Sequence, residues 1–208
     1  MLFPASHRGK TDVTLLGCDF LAFSAHKIMG PTGVGVLYGK KEYLEQVEPA
    51  RFGGGMVDLV NASETTFGKL PFRLEAGTPN YPGIIAFGAA LDYLNQIGQN
   101  DIANREQELT DHLEAKLSAI PHVTVLGGTV PKKSVVSLIA DGVHPYDLSS
   151  FLDKFGVATR SGSHCAQPLV RTFGRDTVLR FSTAFYNTME EIDAAAAYTQ
   201  QCIGMLRR

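Results

Sequence analysis

Cysteine is scarce. Cys18, Cys165 and Cys202 are too few among 208 residues for a disulfide framework, and that scarcity fits a reducing compartment. A charge excess of either sign is also missing, since nineteen lysines and arginines face twenty-one aspartates and glutamates for a formal net charge of −2. Such a balance lacks the basic footprint that nucleic acid or an anionic membrane surface selects, so neither is expected as a partner. No apolar run approaches the roughly 18 residues of a membrane span, and no charged stretch followed by an apolar one opens the chain, so neither a span nor a secretory leader is expected. A cytoplasmic location is the expectation. The twenty-one glycines and ten prolines are scattered without period, which excludes collagen-like and low-complexity chains, and no internal repeat is present. What remains is 44% hydrophobic and 19% charged, enough to build a core and too apolar for intrinsic disorder.

The pattern along the chain changes character from His122 onward. Residues 13–24 (VTLLGCDFLAFS) read as a strand-forming run that includes Cys18. His26 and Lys27 follow, and Gly30-Pro31-Thr32-Gly33 lead into a second strand over residues 34–38. Two short buried strands around a glycine loop predict the interior of an α/β sheet. Residues 40–48 predict a short charged helix stopped by Pro49, and residues 52–83 are expected to be loop, broken by Gly53-Gly54-Gly55, Pro71, Gly77, Pro79, Pro82 and Gly83. Residues 84–97 predict a helix ended by Gly98. A second helix, capped by Asn100 or Asp101, carries Leu109, Leu113 and Leu117 on one face and stops at Pro121. Beyond it the chain predicts a small α+β unit. Its strands cover 123–126, 135–139 and 178–185, and its helix covers 146–155 with Pro145 at the start. Residues 157–160 lead into a loop over 161–168, and the capping box Thr188-Met189-Glu190-Glu191 opens a last helix.

Four places hold residues that can carry chemistry. Lys27 ends an apolar run, where an ammonium is costly unless its charge is satisfied. It is either a snorkelling lysine or an amine poised to condense with an aldehyde, with Ser24 and His26 beside it as donors for a phosphate. Cys165 lies in Arg160-Ser161-Gly162-Ser163-His164-Cys165-Ala166-Gln167-Pro168. It is either a small buried hydrophobe or a nucleophile, and a polar loop with cationic neighbours is where reactive thiols occur. One Cys beside one His, without further ligand spacing, predicts no metal site. Cys18 and Cys202 read as structural. Arg180 interrupts an apolar strand (VLRFS), either as an edge arginine in solvent or as a bidentate receiver of a carboxylate. Thr78, between Gly77 and Pro79, is a turn residue whose hydroxyl can also reach an anion.

Taken together, CDFLAFSAHKIMGPTGVGVLYG, FGGGMV, FRLEAGTPNYPGIIAFGAALDYL, YDLSSFLDKFGVATRSGSHCAQP and LRFSTAFYNTMEEID resemble the C-terminal half of the cysteine desulfurases. These are class V members of the fold-type I pyridoxal-phosphate enzymes. The likeness is narrowest to the group II, sulfur-mobilisation type and to selenocysteine lyases. It implies an α/β fold truncated to two parts. Residues 1–98 would be the last portion of the cofactor-binding large domain, and residues 99–208 the small C-terminal α+β domain with the thiol loop.

The resemblance further implies pyridoxal 5′-phosphate as cofactor, held by Lys27 as Schiff-base lysine and by Ser24 and His26 at the phosphate. Thr78 would reach the phosphate in a neighbouring subunit of a homodimer. Arg180, with Arg160 close by, would bind the carboxylate of L-cysteine or L-selenocysteine. Cys165 would take the sulfur as a persulfide for a sulfur-acceptor protein in iron–sulfur cluster assembly. Where the family carries an Asp for the pyridinium nitrogen, residues 2–7 here read LFPASH, and Asp12 and Asp19 do not match the motif. Weak cofactor binding by this chain alone is therefore expected. A chain without turnover that docks on a sulfur acceptor or a full-length subunit is the alternative. Another class V aminotransferase-like enzyme is the other, and the thiol in its loop argues against it, because transamination needs no thiol.

Overall fold

The computed structural model describes residues 11–207, so residues 2–7 lie outside the described residues. Two compact units are formed, one ending at Gly98 and the other beginning at Gln99.

The first unit opens with a short helix, α1 (Val13–Leu16), where the composition predicts strand. The reason is punctuation at both ends. The Asp12 carboxylate accepts from the Thr14 and Leu15 amides at 2.8 and 3.3 Å, and Gly17 closes the turn at φ 63°. Cys18 therefore sits in the connection and not in a strand. Strand β1 (Phe20–Ser24) then pairs antiparallel with β2 (Gly35–Gly39), in register from Phe20 opposite Gly39 to Ser24 opposite Gly35. Among the described residues these strands pair only with each other, and each alternates exposed and half-buried positions. They are not the buried interior strands the apolar runs predict.

Helix α2 (Lys41–Leu44) is shorter than expected. The stretch predicted as loop contains a hairpin, β3 (Val57–Val60) with β4 (Thr65–Phe67), turned by Asn61, whose side chain accepts from the Ser63 and Glu64 amides. Helix α3 (Tyr81–Ile97) is capped by Asn80, which accepts from Gly83 N at 3.1 Å, with Pro82 in its first turn.

The second unit is a four-stranded antiparallel sheet covered on one face by helices. Helix α4 (Gln99–Ser118) starts a residue or two before the predicted cap. It is followed by β5 (Val123–Val125), β6 (Val135–Ala140), α5 (Pro145–Lys154), β7 (Arg160–Gly162), α6 (Gln167–Thr172), β8 (Val178–Ser182) and α7 (Met189–Leu206). Sheet order is β5-β6-β8-β7. Alternation along β6 buries Val136, Leu138 and Ala140, and β8 adds Leu179 and Phe181 to that face. Against them pack Leu109, Leu113 and Leu117 of α4, Leu148 and Leu152 of α5, and Ile192, Ala195, Ala196, Cys202 and Ile203 of α7. The spacing of four along α4 is what points its three leucines one way. The predicted capping box is formed, with Glu191 N donating to Thr188 Oγ1 and Thr188 N donating to the Glu191 carboxylate. No helix among the described residues is long and apolar enough to cross a membrane.

Candidate functional site

The chemistry-bearing residues lie on two surfaces, one in each unit. In the first unit Lys27 ends a 3₁₀ turn (Ala25–Lys27) that follows directly from β1. Ala25, fully buried, is the hub of that turn. Its amide donates to Val34 O at 3.0 Å, and its carbonyl accepts from Ile28 and Gly30 amides, both at 2.9 Å. Phe87 of α3 presses on the turn so closely that a Cβ at Gly30 would stand 2.6 Å from the ring. Glycine at position 30 is thus what lets helix and lysine turn approach. Ser24 and Lys27 are half-buried and His26 is exposed. An amine, a hydroxyl and an imidazole within residues 24–27 suit an aldehyde that carries a phosphate monoester.

Thr78 is exposed on a turn held from behind by the glycine loop. Gly77 N donates to Gly54 O at 2.9 Å, and a Cβ at Gly53 would meet Gly77 N at the same distance. Asp12 and Asp19 are engaged elsewhere, Asp12 in capping α1 and Asp19 in an ion pair with Lys40 at 2.6 Å.

In the second unit the site is built by strand register. Arg180 on β8 stands opposite Arg160 on β7 and opposite Ser137 on β6. The alternation that turns Leu179 and Phe181 into the core turns this row to the other face of the sheet. Two guanidinium groups directly opposite each other across strands are unfavourable without an anion to share. Arg180 is half-buried, and its Nε is buried without a protein partner. Burial, and next the charge of Arg160, hold its proton affinity below the ordinary guanidinium range, while nearby Cys165 acts in the opposite sense. It remains a cation at neutral pH.

The strand bearing Arg180 is tied down three residues later. Thr110 Oγ1 donates to Glu106 O at 2.6 Å, accepts from Ser134 N at 3.0 Å, and so must accept from Thr183 Oγ1 at 2.9 Å.

Cys165 is exposed, in the loop between β7 and α6. It and His164 both have positive φ, 59° and 55°. His164 Nε2 lies 3.1 Å from Val178 O, and its Nδ1 is buried without a partner. Cys202 is buried, with its thiol pushed up by burial, and Cys18 is half-buried. Ser137 and the engagement of His164 were not read from the sequence. The alternation along β6 pointed Ser137 away from the core, but its position opposite Arg180 depends on register. Among the described residues no group of three or more metal-ligating side chains is found.

The chain is similar in sequence and fold to known proteins. In solved structures the fold matches a cysteine desulfurase, CsdA, from Escherichia coli with TM-score 0.89 and 38% identity over 94% of this chain and 48% of that one. The apo cysteine desulfurase of Thermococcus onnurineus matches at TM-score 0.89 and 35% identity over 93% and 49%. A C-DES variant with glycine covalently linked to its PLP cofactor shares the fold at TM-score 0.77 and 23% identity. The class is therefore the α/β fold of pyridoxal-phosphate-dependent cysteine desulfurases. Residues 5–195 match the model of the aminotransferase class-V family, and the chain belongs to that family. A probable cysteine desulfurase of Halalkalibacterium halodurans is 47% identical over 189 residues, 90% of this chain and 46% of the relative. A cysteine desulfurase of Klebsiella pneumoniae is 46% identical over 191 residues, 91% and 47%. The chain thus spans about half the length of the curated relatives it matches.

Proposed function

We propose that this chain carries the amine, carboxylate-binding and thiol parts of a pyridoxal-phosphate-dependent cysteine desulfurase. Residues 1–98 serve the cofactor and residues 99–208 the substrate sulfur. Pyridoxal phosphate, when bound, supplies an aldehyde for an amine and a ring that takes up electron density from the substrate Cα. Lys27 is the amine, and it moves the proton at Cα; Ser24 and His26 donate to the phosphate. Thr78 donates to the phosphate in the other subunit of a homodimer. Arg180 receives the substrate carboxylate, with Arg160 as the second guanidinium. Cys165 attacks the sulfur of L-cysteine or the selenium of L-selenocysteine. A bond to its Sγ forms as the substrate's carbon–sulfur or carbon–selenium bond breaks, and the carbon takes a proton to leave L-alanine. With L-cysteine the product on Cys165 is a persulfide, whose outer sulfur then passes to the thiol of a sulfur-acceptor protein that supplies iron–sulfur cluster assembly, leaving Cys165 as thiolate.

The observation that carries this reading is the facing pair Arg160 and Arg180 beside an exposed thiol held in a left-handed turn. The test is reductive trapping of added pyridoxal phosphate with borohydride, followed by peptide mapping. Label is expected on Lys27 ahead of the other lysines, and L-cysteine is expected to leave an additional sulfur on Cys165 that Arg180→Ala abolishes. Binding before trapping is expected to be weak, and Lys27→Ala removes what there is. Label spread evenly over the lysines would end the reading.

A further inference from the structure

We propose that His164 is the positioning residue of the thiol loop, a neutral latch whose Nε2–H pins the loop to β8 and holds Cys165 in a left-handed conformation. Two consecutive non-glycine residues with φ of 55° and 59° are unusual, because L side chains crowd the backbone there. They are the central pair of a turn closed by Ala166 N donating to Ser163 O at 2.8 Å. Positive φ at both central positions is the mirror-image turn for which Asn-Gly is the usual pair. His and Cys occupy it here, so something outside the turn must compensate.

The compensation is visible on the imidazole. Val178 O can only accept, so the 3.1 Å contact requires the hydrogen on Nε2. The buried, unpartnered Nδ1 then holds a lone pair, since a second hydrogen would be buried without an acceptor. The charges of Arg180 on β8 and Arg160 on β7 both oppose a positive imidazole. Val178 is also the partner of Gly162, the last residue of β7, so the latch closes where strand pairing ends and the thiol loop begins. It carries the order of the sheet two residues further, to the residue that precedes the thiol.

The inference rests on the proposed role of Cys165 for its purpose, and its test needs no turnover. Long-range ¹H–¹⁵N imidazole spectra of the full chain are expected to show the Nε2–H tautomer, with a protonation midpoint below the ordinary 6.5. An Nδ1–H tautomer, or titration at the ordinary 6.5, overturns it. Three variants separate the latch from backbone preference. His164→Leu is expected to speed amide exchange at Ala166 by roughly five- to tenfold, the worth of one hydrogen bond. His164→Gln, whose amide reaches as far as Nε2, restores protection. His164→Asn tolerates positive φ but is too short, and behaves like Leu. Protection in Asn equal to that of His would show that conformational preference alone shapes the loop, and the latch fails. If trapping misses Lys27 while the tautomer and variant pattern hold, the desulfurase reading fails and the latch stands.

Discussion

The two units differ in what they bury. The second encloses seventeen hydrophobic side chains in one continuous cluster, from Leu109 of α4 to Ile203 of α7. The first buries three among its described residues, Ala25, Met56 and Phe87, while Leu15, Phe52, Val60 and Ile85 are each more than 60% exposed. Burial of a large apolar side chain contributes about 1.5–3 kcal/mol, so a unit with two of them, Met56 and Phe87, has little to set against its conformational entropy. Its aromatic rings meet in separate pairs: Phe52 stacks on Phe67 with ring centres 5.8 Å apart, and Phe23 meets Phe87 edge-on at 6.4 Å. The lysine turn therefore sits on a thinly packed support, and the thiol and arginine row on a well packed one.

Residue-resolved hydrogen exchange gives the largest expected contrast. Amides of β6, β8 and the middle of α7 should exchange on the order of a hundredfold or more slowly than those of β1 to β4. Equal protection in both units would break the comparison. The cysteines sharpen it: Cys165 should alkylate first, Cys18 next and Cys202 last. Cys202 reacts only when the second unit opens, and equal rates for all three would contradict its burial.

A core substitution is the next largest effect. Leu113→Ala should cost the second unit about 2–5 kcal/mol, read by denaturant midpoint, and should speed alkylation of Cys202 while leaving Cys18 unchanged. Removing the cap of α7 with Thr188→Ala should cost about 0.5–2 kcal/mol in the same transition. A shift as large as that of Leu113→Ala would mean that the cap, and not the core, dominates.

The contrast also explains what the sequence could tell. In the second unit helical spacing at Leu109, Leu113 and Leu117, the capping box at Thr188 and the cationic strand residue Arg180 are signals that packing reinforces, and those elements appear close to where they are expected; α6 was not expected, and β7 extends into residues that read as loop. In the first unit local punctuation overrode composition. Asp12 and Gly17 made a helix of a β-branched run, and Asn61 turned a hairpin inside a stretch that its glycines and prolines marked as loop. Lys27, Ser24, His26, Cys165 and Arg180 were each visible as residue types out of place in their surroundings. Two partners were not. Ser137 faces Arg180 through strand register, and His164 reaches Val178 across fourteen residues of chain, neither of which any local window contains.

The smallest expected effect separates the units by pH, at the acid end. His164, in the second unit, has its proton affinity held below the ordinary 6.5, first by burial and then by Arg180 and Arg160, against the pull of the Val178 carbonyl. The unfolded chain takes up that proton near pH 6.5 and the folded one does not, so the second unit loses stability as pH falls through this range. Asp193 adds to the same trend at lower pH. Its bonds from Lys116 and His112 depress it below the ordinary 3.8, and the stability it contributes is lost as pH falls through the depressed value.

In the first unit Lys40 is raised above 10.5 by its bond to Asp19. That contribution is fully present below 10.5 and lost as pH rises through the raised value. Both ion pairs are exposed and screened, so neither adds much. Exchange rates followed from about pH 5 to about pH 11, corrected for intrinsic chemistry, should show acid loosening confined to the second unit. Alkaline loosening is expected in both, because the buried Cys202 thiol, pushed above its ordinary 9.0, keeps a proton that the unfolded chain loses. Acid loosening of the first unit as well would mean that the charges assigned here to separate units act on one cooperative structure.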